Sequence, residues 1–566
     1  MPFNKHYQNL VTEKSQAHTR LIRDYQGANS DFDFIIVGSG IGGGILADDL
    51  ADNLGKSKRI LVIDAGSFIY PTHVYHISRY SNGAVARHFG VVNRGQGYND
   101  HAHRIGEEPQ MNLGGRSVFW SGLIPTPQEW ERKFFPPAVR ADFESGLLKE
   151  AGDKMNASAT LGKFGEAIAE LFQESDLSDD FYIEETPRAV HQPYLLKNGQ
   201  PKGDYYYEPT GVFNTAELLV NQVGLTPGSG FDDMGLFVKL NSFVEAIDET
   251  PEGWQAVRVT DTINRSERSF YAPKVVIAAG STESPKLINR SSVYHKFTDG
   301  VRQNVGFGLT DHPVSSEAQI FVKKAQLEKN GAITESVPIE RDDHAKIIFY
   351  SKGNTDQNGH IQYPFNIEMN INHEYWHLRH NDPSSGIPDL SEEDRNKVRV
   401  DIKFSFANLL DDYNGVLSHW NDGYKPDIRF KRWYEHHLLN ERLPRIAGWH
   451  KDKASFMSLL RDTKNRVFSH FEIEGYGSDP FYSNEGWPFG WGTVHHACGT
   501  LRMPWREDLS DDSFNASESV VDTNLKVKNT SGLYVCDMSV MPISTAANPV
   551  RALGALALRL SRHLRQ

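Results

Sequence analysis

Two neighbouring histidines, His495 and His496, have side chains that can accept a proton during a reaction, and a later asparagine, Asn548, has one that can orient a substrate. A neutral imidazole, whose reference pKa is about 6.5, can accept a proton near neutral pH. A side-chain amide has one donor end and one acceptor end, so it can hold a substrate oxygen in place. If the histidine segment is extended, neighbouring side chains point to opposite faces. Only one of the pair can then face a substrate.

Asn548-Pro549 also predicts the start of a helix. Asparagine favours the N-cap and proline the first helical position, and the apolar stretch 552–558 continues the pattern. The positive end of the helix dipole would stabilise negative charge in front of it. A base, an amide and a helix N-terminus are therefore the chemical groups that the C-terminal region offers.

A glycine-rich turn near the N-terminus predicts a nucleotide site. Gly38, Gly40 and Gly43 fit the pattern Gly-x-Gly-x-x-Gly, after the apolar run 32–37 and before the helical stretch 45–51. Glycine at these places permits a tight turn, close approach of a pyrophosphate and close packing of the helix. The phosphate charge would lie at the positive end of that helix.

An acidic residue follows the next predicted strand. The apolar run 59–63 ends at Asp64, where a carboxylate can accept hydrogen bonds from an adenosine ribose. A strand, a glycine turn, a helix and this acid together predict nucleotide binding. The unit does not distinguish FAD from NAD.

Composition limits the class of protein. The 566 residues exceed what one hydrophobic core usually serves, so two domains are expected. The net charge of −13 is spread without basic blocks, which argues against nucleic-acid binding. No apolar run is long enough to cross a bilayer, and the N-terminus lacks the pattern of a signal peptide. Two cysteines exclude a disulfide framework, so a cytoplasmic protein is expected.

Two later segments alternate apolar and polar residues with a period of two, at 361–371 and 398–406. This pattern predicts antiparallel strands covered on one side. Pro364 cannot donate to a strand ladder, so its strand is expected to be an edge or to carry a bulge there.

Several of these segments resemble the glucose-methanol-choline (GMC) oxidoreductases, nearest to the pyranose-oxidase-like and sugar-dehydrogenase-like members. Residues 493–503 and 545–549 resemble the C-terminal signature, and residues 111–122 resemble the second signature, a loop that lies against the flavin ring and pyrophosphate. The resemblance implies an α/β protein: an FAD-binding Rossmann-like domain with a second α+β substrate domain on an antiparallel sheet.

The same resemblance extends to the rest of the nucleotide domain. It implies a buried strand and glycine turn at 272–285, a strand at 240–247, and a strand entering a turn at 532–542. The glycine turn and the resemblance together assign these residues to FAD: Gly38, Ser39, Gly40, Ile41, Gly43, Asp64, Ala65, Gly115, Arg116, Ser117, Val244, Ala279, Asp537, Met538, Asn548 and Pro549. His312, in the matching segment 304–313, is interpreted as structural.

The resemblance also selects between the two histidines. The family's catalytic histidine precedes Gly-Thr by two residues, which is the spacing of His496, and its partner corresponds to Asn548. His495 is then expected to be a hydrogen-bonded structural residue. The implied reaction is oxidation of an alcohol to a carbonyl, with hydride transfer to flavin N5 and His496 as base. The helix at Asn548-Pro549 would stabilise the anionic reduced ring.

A sugar, glycoside or polyol is the preferred small-molecule substrate, with O2, a quinone or another carrier as electron acceptor. The segment 420–491 is rich in Trp, Tyr and His, whose rings stack on sugars but serve equally well as core residues. A non-redox lyase on the same flavin fold and a non-catalytic nucleotide-binding protein are the alternatives. An oligomer is left open.

The tethering histidine of the pyranose-oxidase branch corresponds here to Phe119, which cannot form a covalent bond to flavin, so non-covalent FAD is expected. Cys498 and Cys536 are expected to be buried packing residues. No metal site is predicted, because His101 and His103 lack further ligands. The predicted division is an N-terminal extension (1–30), a discontinuous FAD-binding domain (31–130, 225–313 and 490–566) and a substrate-binding domain (131–224 and 314–489).

Overall fold

The computed structural model describes most of the segments singled out by the sequence. The described residues are 32–68, 110–118, 120–158, 163–189, 212–223, 235–315, 318–323, 345–357, 360–371, 397–410, 415–418, 426–429, 453–471, 489–490, 496–506, 509 and 512–566. The expectations for the extension 1–30, for His101, His103, Phe119 and His495, and for the aromatic residues clustered between 433 and 487 lie outside them.

Ten α-helices occur in these residues. They are α1 (Ile41–Leu54), α2 (Glu129–Arg132), α3 (Pro137–Asp142), α4 (Leu148–Lys154), α5 (Lys163–Gln173), α6 (Thr215–Val223), α7 (Glu283–Arg290), α8 (Asp299–Arg302), α9 (Lys453–Ser469) and α10 (Val550–Leu564). A π-helical turn (Phe143–Leu147) joins α3 to α4. Short 3-10 turns lie at Gly55–Ser57, Gly115–Val118, Asp176–Asp179, Ser292–Lys296 and Met538–Val540. Within the described part of the chain, no helix combines the length and apolar character needed to cross a membrane.

A parallel five-stranded sheet forms the centre of the nucleotide-binding part. Its strands are β1 (Phe34–Val37), β2 (Ile60–Ile63), β6 (Leu236–Lys239), β10 (Lys274–Ile277) and β20 (Leu533–Val535). They lie in the order β20-β10-β1-β2-β6 and every pairing is parallel. Helices α1, α6 and α10 pack beside it. Apart from Lys239 and Lys274 at the ends of their strands, the short runs are mainly apolar, because both faces of a parallel sheet are covered.

The second large sheet is antiparallel, as the period-two pattern predicts. It consists of β4 (Phe181–Glu185), β11 (Val314–Ser315), β12 (Ala318–Lys323), β13 (Ala345–Ser351), β14 (Phe365–Ile371), β15 (Lys397–Phe406) and β19 (Phe489–Gly490). The order is β19-β11-β15-β14-β13-β4, with β12 paired to β15. Together with the parallel sheet, it confirms the predicted fold class.

The expectation for Pro364 is wrong. β14 lies between β13 and β15 in the interior of the sheet, and it begins at Phe365, one residue after the proline. Pro364 therefore never has to donate within the ladder, and its carbonyl accepts a hydrogen bond from the main chain of Ala407 at 3.0 Å. The alternation before residue 365 belongs to a loop.

The polar face is also buried in the central strands β13 and β14, which corrects the expectation of strands covered on one side only. Glu368 is 2% exposed and forms ion pairs with Lys346 (2.7 Å) and Lys403 (3.2 Å). Burial opposes the ionisation of Glu368, but the two lysines hold its pKa well below its usual range. Paired charges can be buried in this way, whereas isolated ones cannot.

Smaller sheets connect the two parts. β7 (Ser242–Glu249), β8 (Gln255–Asp261) and β9 (Glu267–Ala272) form an antiparallel sheet, and β7 begins later than the predicted 240–247 strand. The remaining strands pair as β3 (Ala157–Ser158) with β5 (Arg188–Ala189), β16 (Asn408–Leu409) with β21 (Ile543–Ser544), and β17 (Gly415–Ser418) with β18 (Pro426–Arg429).

Two hydrophobic cores match the two large sheets. The first contains the parallel sheet and side chains of α1, α6 and α10, and the second contains the apolar face of the antiparallel sheet with α5 and α9. Trp130, Phe135, Phe143 and Met155 belong to the first core. Phe135, Phe143 and Met155, which follow the predicted boundary at residue 130, therefore pack with the first core.

Candidate active site

The glycine turn is shaped by close packing at two positions and by open space at a third. Gly38 has a φ of +104°, and a Cβ there would lie 2.3 Å from the carbonyl oxygen of Ala278. A Cβ at Gly43 would lie 2.1 Å from the carbonyl oxygen of Gly38. A Cβ at Gly40 would meet nothing within 4 Å. The glycines thus allow the helix to pack closely on the turn and leave open space at the N-terminus of the helix.

That N-terminus is available for an anion. Gly40 is the N-cap of α1, no side chain caps the helix, and no acidic residue lies in its first turn. Main-chain N–H groups and the positive end of the dipole are the groups that bind phosphate in such places. Ser39 and Ile41 flank the position, as the sequence predicts.

Asp64 follows β2 and turns back toward the glycine turn. Its carboxylate accepts hydrogen bonds from the main-chain N–H groups of Ser39 (3.2 Å) and Gly66 (2.9 Å) and from the Ser39 hydroxyl. Burial raises the pKa of Asp64 to about 6 despite these donors. Asp64 and the adjoining Ala65 therefore lie at the glycine turn, and Asp64 also holds Ser39 in place.

The second signature packs on the same turn. The Gly114 N–H donates to the Ser39 hydroxyl at 2.9 Å, and a Cβ at Gly115 would lie 3.3 Å from Cα of Gly40. The hydroxyls of Ser117 and Thr215 are 3.0 Å apart, and that of Thr215 donates to the Ser39 carbonyl at 2.8 Å. The structure thus brings the turn that carries Gly115, Arg116 and Ser117 to the predicted nucleotide site.

Thr215 was not among the residues predicted to contribute to the nucleotide site. It lies at the first position of α6, in a stretch without family motifs. A Cβ at Gly44 would lie 2.5 Å from Cβ of Thr215. Its contact with α1 could be found only from the tertiary structure.

Asp537 lies where the chain leaves β20, and its side chain forms hydrogen bonds within the protein. Its carboxylate accepts hydrogen bonds from the Gly280 N–H (2.9 Å), the Ser284 hydroxyl, and the N–H (2.8 Å) and hydroxyl of Ser539. Burial raises its pKa. Asp537 therefore fixes the turn that carries Met538 against the turn that carries Ala279.

Val244 lies on β7, whose first residue is joined to the Asp64 carbonyl by a hydrogen bond from the Ser242 N–H (2.9 Å). The Val244 carbonyl accepts a hydrogen bond from Arg290 at 3.4 Å. Val244 is thus connected to the nucleotide turn through β7.

These features fit a dinucleotide such as FAD. The space beside Gly40 and a second open glycine, Gly280 (φ +86°), lie at turns of the parallel sheet. Asn112, in the second signature, has a buried side-chain oxygen with no hydrogen-bond partner among the described residues. Uncapped amides, open glycines and an unused acceptor are suited to phosphate and hydroxyl groups.

His496 lies on a segment fixed from two sides. Cys498 exchanges main-chain hydrogen bonds with Thr310 (2.9 and 3.1 Å), and the Ser281 hydroxyl donates to the Ala497 carbonyl at 2.6 Å. The Gly499 N–H donates to the Met538 carbonyl at 3.2 Å. The candidate base is thereby attached to the same turn, 538–540, that Asp537 organises.

His312 directly contacts His496. Their Nδ1 atoms are 3.0 Å apart and their rings are stacked. Asp311 accepts hydrogen bonds from the main-chain N–H groups of both histidines, at 2.7 and 3.2 Å. The sequence interpretation of His312 as structural did not include this contact. In the sequence, only the Asp-His-Pro motif at 311–313 marked His312 as a residue of interest.

Burial lowers the pKa of His312 to about 4, and the nearby charges of Glu368 and Lys403 act in opposite directions. His312 is therefore neutral at neutral pH. Its Nε2 is buried and has no hydrogen-bond partner among the described residues. A neutral imidazole can accept at one ring nitrogen and donate at the other.

Asn548 precedes α10, which begins at Val550, one residue later than predicted, with Pro549 as its N-cap. Pro549 has helical φ and ψ angles, and its carbonyl already accepts the hydrogen bond of Leu553 (3.0 Å). Helical geometry thus starts at the proline, where the sequence placed it.

A chain of contacts joins the Asn548 region to the His496 segment. Asn408 pairs with Ser544 across β16 and β21. Its side chain donates to the Thr310 hydroxyl at 3.0 Å, and Thr310 is bonded to Cys498.

Both cysteines are buried, and neither forms a disulfide bond in the described part of the chain. The carbonyl of Cys536 would lie 2.0 Å from a Cβ at Gly42, so this residue packs directly under α1. Burial raises the pKa of its thiol far above the usual range. Both residues occupy the buried positions expected of packing residues. No cluster of potential metal ligands occurs in the described part of the chain.

Comparison with known proteins agrees with this geometry. Residues 474–557 match the family model described as GMC oxidoreductase. The oxidoreductase cicC of Emericella nidulans is 36% identical over 72 residues, 13% of this chain. The match spans 10% of the length of that relative.

Solved structures show the same fold over nearly the whole chain. A formate oxidase of Aspergillus oryzae RIB40, from work on FAD modification, is 15% identical with a TM-score of 0.57, covering 95% of this chain and 99% of that one. The pyridoxine 4-oxidase of Mesorbium loti is 16% identical with a TM-score of 0.55, covering 94% and 99%. Residues 474–557 are thus similar to the GMC oxidoreductase family model, and the two oxidase structures share the fold of this chain, including its Rossmann-like nucleotide part.

Proposed function

We propose that this protein oxidises an alcohol to a carbonyl compound with FAD as its cofactor. The observation that carries the proposal is the arrangement of His496. This histidine is held by Asp311, stacked on His312 and attached to the 538–540 turn of the nucleotide domain. A base fixed at the edge of a dinucleotide site is the arrangement that alcohol oxidation requires.

FAD would be held by the N-terminus of α1 and by the turns around Gly115, Gly280 and Met538. When bound, it would supply a hydride acceptor, N5 of its ring. The start of α10 would add positive charge for the reduced ring. We propose that the binding is non-covalent, because Phe119 cannot form a bond to flavin.

His496 would take the hydroxyl proton of the alcohol. Loss of a hydride alone would leave positive charge on the substrate, so the proton must leave as well. His496 can accept it at Nε2 only if its own proton is at Nδ1. The neutral His312, 3.0 Å away, can accept a hydrogen bond from that Nδ1–H and would thereby keep His496 in the reactive tautomer.

Asn548 would hold the substrate oxygen in line with the base, because its amide offers both a donor and an acceptor. The link through Asn408 and Thr310 connects its loop to the His496 segment.

The preferred substrates are a sugar, glycoside or polyol, with O2, a quinone or another carrier as acceptor. The two structural neighbours are named for formate and pyridoxine, so these compounds are included as test substrates. The domain boundaries at 31–130, 225–313 and 490–566 also remain proposals. A chain with only two cysteines is in keeping with the proposed cytoplasmic location.

An anaerobic bleaching experiment tests the function. The purified yellow protein is mixed without oxygen with sugars, polyols, pyridoxine, formate and simple alcohols, and the flavin absorbance is followed. Bleaching by an alcohol, with formation of the carbonyl product, is expected. A lyase would convert its substrate while the flavin stays oxidised, and a non-catalytic protein would do neither.

Acid precipitation tests how the cofactor is held. Non-covalent FAD should remain in the supernatant when the protein is precipitated. Yellow colour that stays with the washed pellet would overturn the non-covalent assignment.

A further inference from the structure

A buried carboxyl group lies against the loop that leads into Asn548. Glu131, on α2, is fully buried, and its Oε1 accepts a hydrogen bond from the Ala547 N–H at 3.1 Å. The Ala546 main chain also donates to this carboxyl group. Its Oε2 accepts from the Gln128 N–H at 2.6 Å. Two consecutive amides just before Asn548 are thus held by one side chain.

The same short helix is attached to the antiparallel sheet. The indole of Trp130 donates to the Ser351 carbonyl at the end of β13, at 3.1 Å. A Cβ at Gly353 would lie 2.5 Å from the Trp130 ring, so the two are in tight contact. Glu131 is therefore held by a helix that is itself fixed, and it cannot follow a movement of residues 546–547.

The environment of Glu131 favours a structural use of its acceptors. The charged neighbour that acts on it is Arg132, and Tyr350 of β13 also lies within electrostatic range. Burial nevertheless raises the pKa of Glu131 to about 7. A buried carboxyl group retained at such a cost is most simply explained by the amides that it holds.

We propose that Glu131 is a positioning residue for Asn548. Its carboxyl group fixes the amides of Ala546 and Ala547, and this fixes the direction in which the Asn548 amide points. The inference rests on the proposed function, because it assigns Asn548 the task of holding the substrate oxygen. Small errors in the placement of such a group slow the chemical step strongly.

A double-mutant cycle tests the proposal in the full-length, FAD-containing protein. Glu131→Gln keeps the size but replaces one of the two acceptor oxygens with an NH2 donor, so the N–H groups of Gln128, Ala546 and Ala547 can no longer all be accepted by this side chain. The rate of anaerobic flavin reduction is measured for Glu131→Gln, Asn548→Ala and the double variant. We expect Glu131→Gln to slow reduction about 10-fold with a smaller change in apparent substrate affinity. In the Asn548→Ala background it should slow reduction less than 2-fold.

Asp48→Asn is the matched control. Asp48 is also fully buried, and it is paired with Lys154 on α4, away from the loop before Asn548. This variant should lower stability without slowing flavin reduction. If the effects of Glu131→Gln and Asn548→Ala multiply, Glu131 acts independently of Asn548 and the proposal is overturned.

A second measurement separates this inference from the proposed function. Amide hydrogen exchange at residues 546 and 547 should be at least 10-fold faster in Glu131→Gln than in the unmodified protein, whatever the substrate. Unchanged exchange would overturn the positioning role even if alcohols bleach the flavin. If exchange is faster but no alcohol reduces the flavin, Glu131 does fix residues 546 and 547. Only the proposed reaction would then be overturned.

Discussion

The Nδ1 atoms of His312 and His496 lie 3.0 Å apart, with ring centroids 5.1 Å apart and an interplanar angle of 26°. At this separation one ring donates a hydrogen bond to the other. His312 is neutral, because burial lowers its pKa to about 4. With His312 as the acceptor, as proposed above, the contact keeps the proton of His496 on its Nδ1.

Replacing His496 with alanine should slow anaerobic flavin reduction by about 10²–10⁴-fold, the usual contribution of a general base. FAD should remain bound, because no described cofactor-site contact depends on the imidazole. The measurement is rapid mixing of the flavin-loaded variant with an alcohol that bleaches the unmodified protein. His563→Ala, in the last turn of α10, is the histidine control and should react normally. Bleaching at the normal rate in His496→Ala would exclude His496 as the base.

His312 should matter through His496. His312→Leu removes the acceptor for the Nδ1–H of His496, and one hydrogen bond of about 1.4 kcal/mol corresponds to a 10-fold slower reduction. His312→Gln, whose amide oxygen can accept, should recover part of the rate. In the His496→Ala background, His312→Leu should have little further effect. A full 10-fold loss in that background would contradict the tautomer role.

The glycine turn separates cofactor binding from folding. Ala at position 40 has an extended main chain and open space around its methyl group, so Gly40→Ala should fold normally but bind less FAD. A methyl group at position 42 would lie 2.0 Å from the Cys536 carbonyl, and such overpacking costs about 1–3 kcal/mol. Gly42→Ala should therefore lower the unfolding temperature of the apoprotein. Flavin per mole of protein and thermal unfolding measure the two effects. Equal FAD content in Gly40→Ala would argue against phosphate at this turn.

The stability of the protein should depend on pH through Glu131. Its pKa is about 7 in the folded protein, against 4.5 for the ordinary group. Between these values the folded state binds a proton that the unfolded state has lost, so stability falls as pH rises from about 4.5 to 7. Glu131→Gln removes this loss, which amounts to at most about 3 kcal/mol. The difference in unfolding temperature between variant and unmodified protein should therefore shift in favour of the variant from pH 5 to pH 7.5. A constant difference would contradict the raised pKa.

The sequence predicted the local units well. β1, the glycine turn and α1 are adjacent in the chain, so their order could be predicted, although the close packing at Gly38 and Gly42 involves the distant residues Ala278 and Cys536. The period-two segments were predicted correctly as antiparallel strands because their alternation is also a local pattern. The extent of β14 was misjudged, because the alternation continues through Pro364 into a loop that the strand does not include.

The parts of the site that depend on distant residues were not predictable. His312 and His496 are 184 positions apart, and Glu131 is 416 positions from Ala547. No periodicity joins such pairs. Asp537 was assigned to FAD from resemblance, and its hydrogen bonds with Gly280, Ser284 and Ser539 could be seen only in the folded chain. Which acceptor faces a ligand and which faces the protein is decided by packing.

The two buried cysteines have a practical consequence. Cys498 follows the candidate base by two residues, Cys536 lies under α1, and both are fully shielded from solvent. A thiol reagent can reach either sulfur only when the surrounding structure opens, because burial and the raised pKa of Cys536 suppress direct attack. The chain contains no other cysteine. The rate at which a thiol reagent modifies these two residues therefore measures how often the structure opens at the nucleotide site, and the measurement needs no substrate.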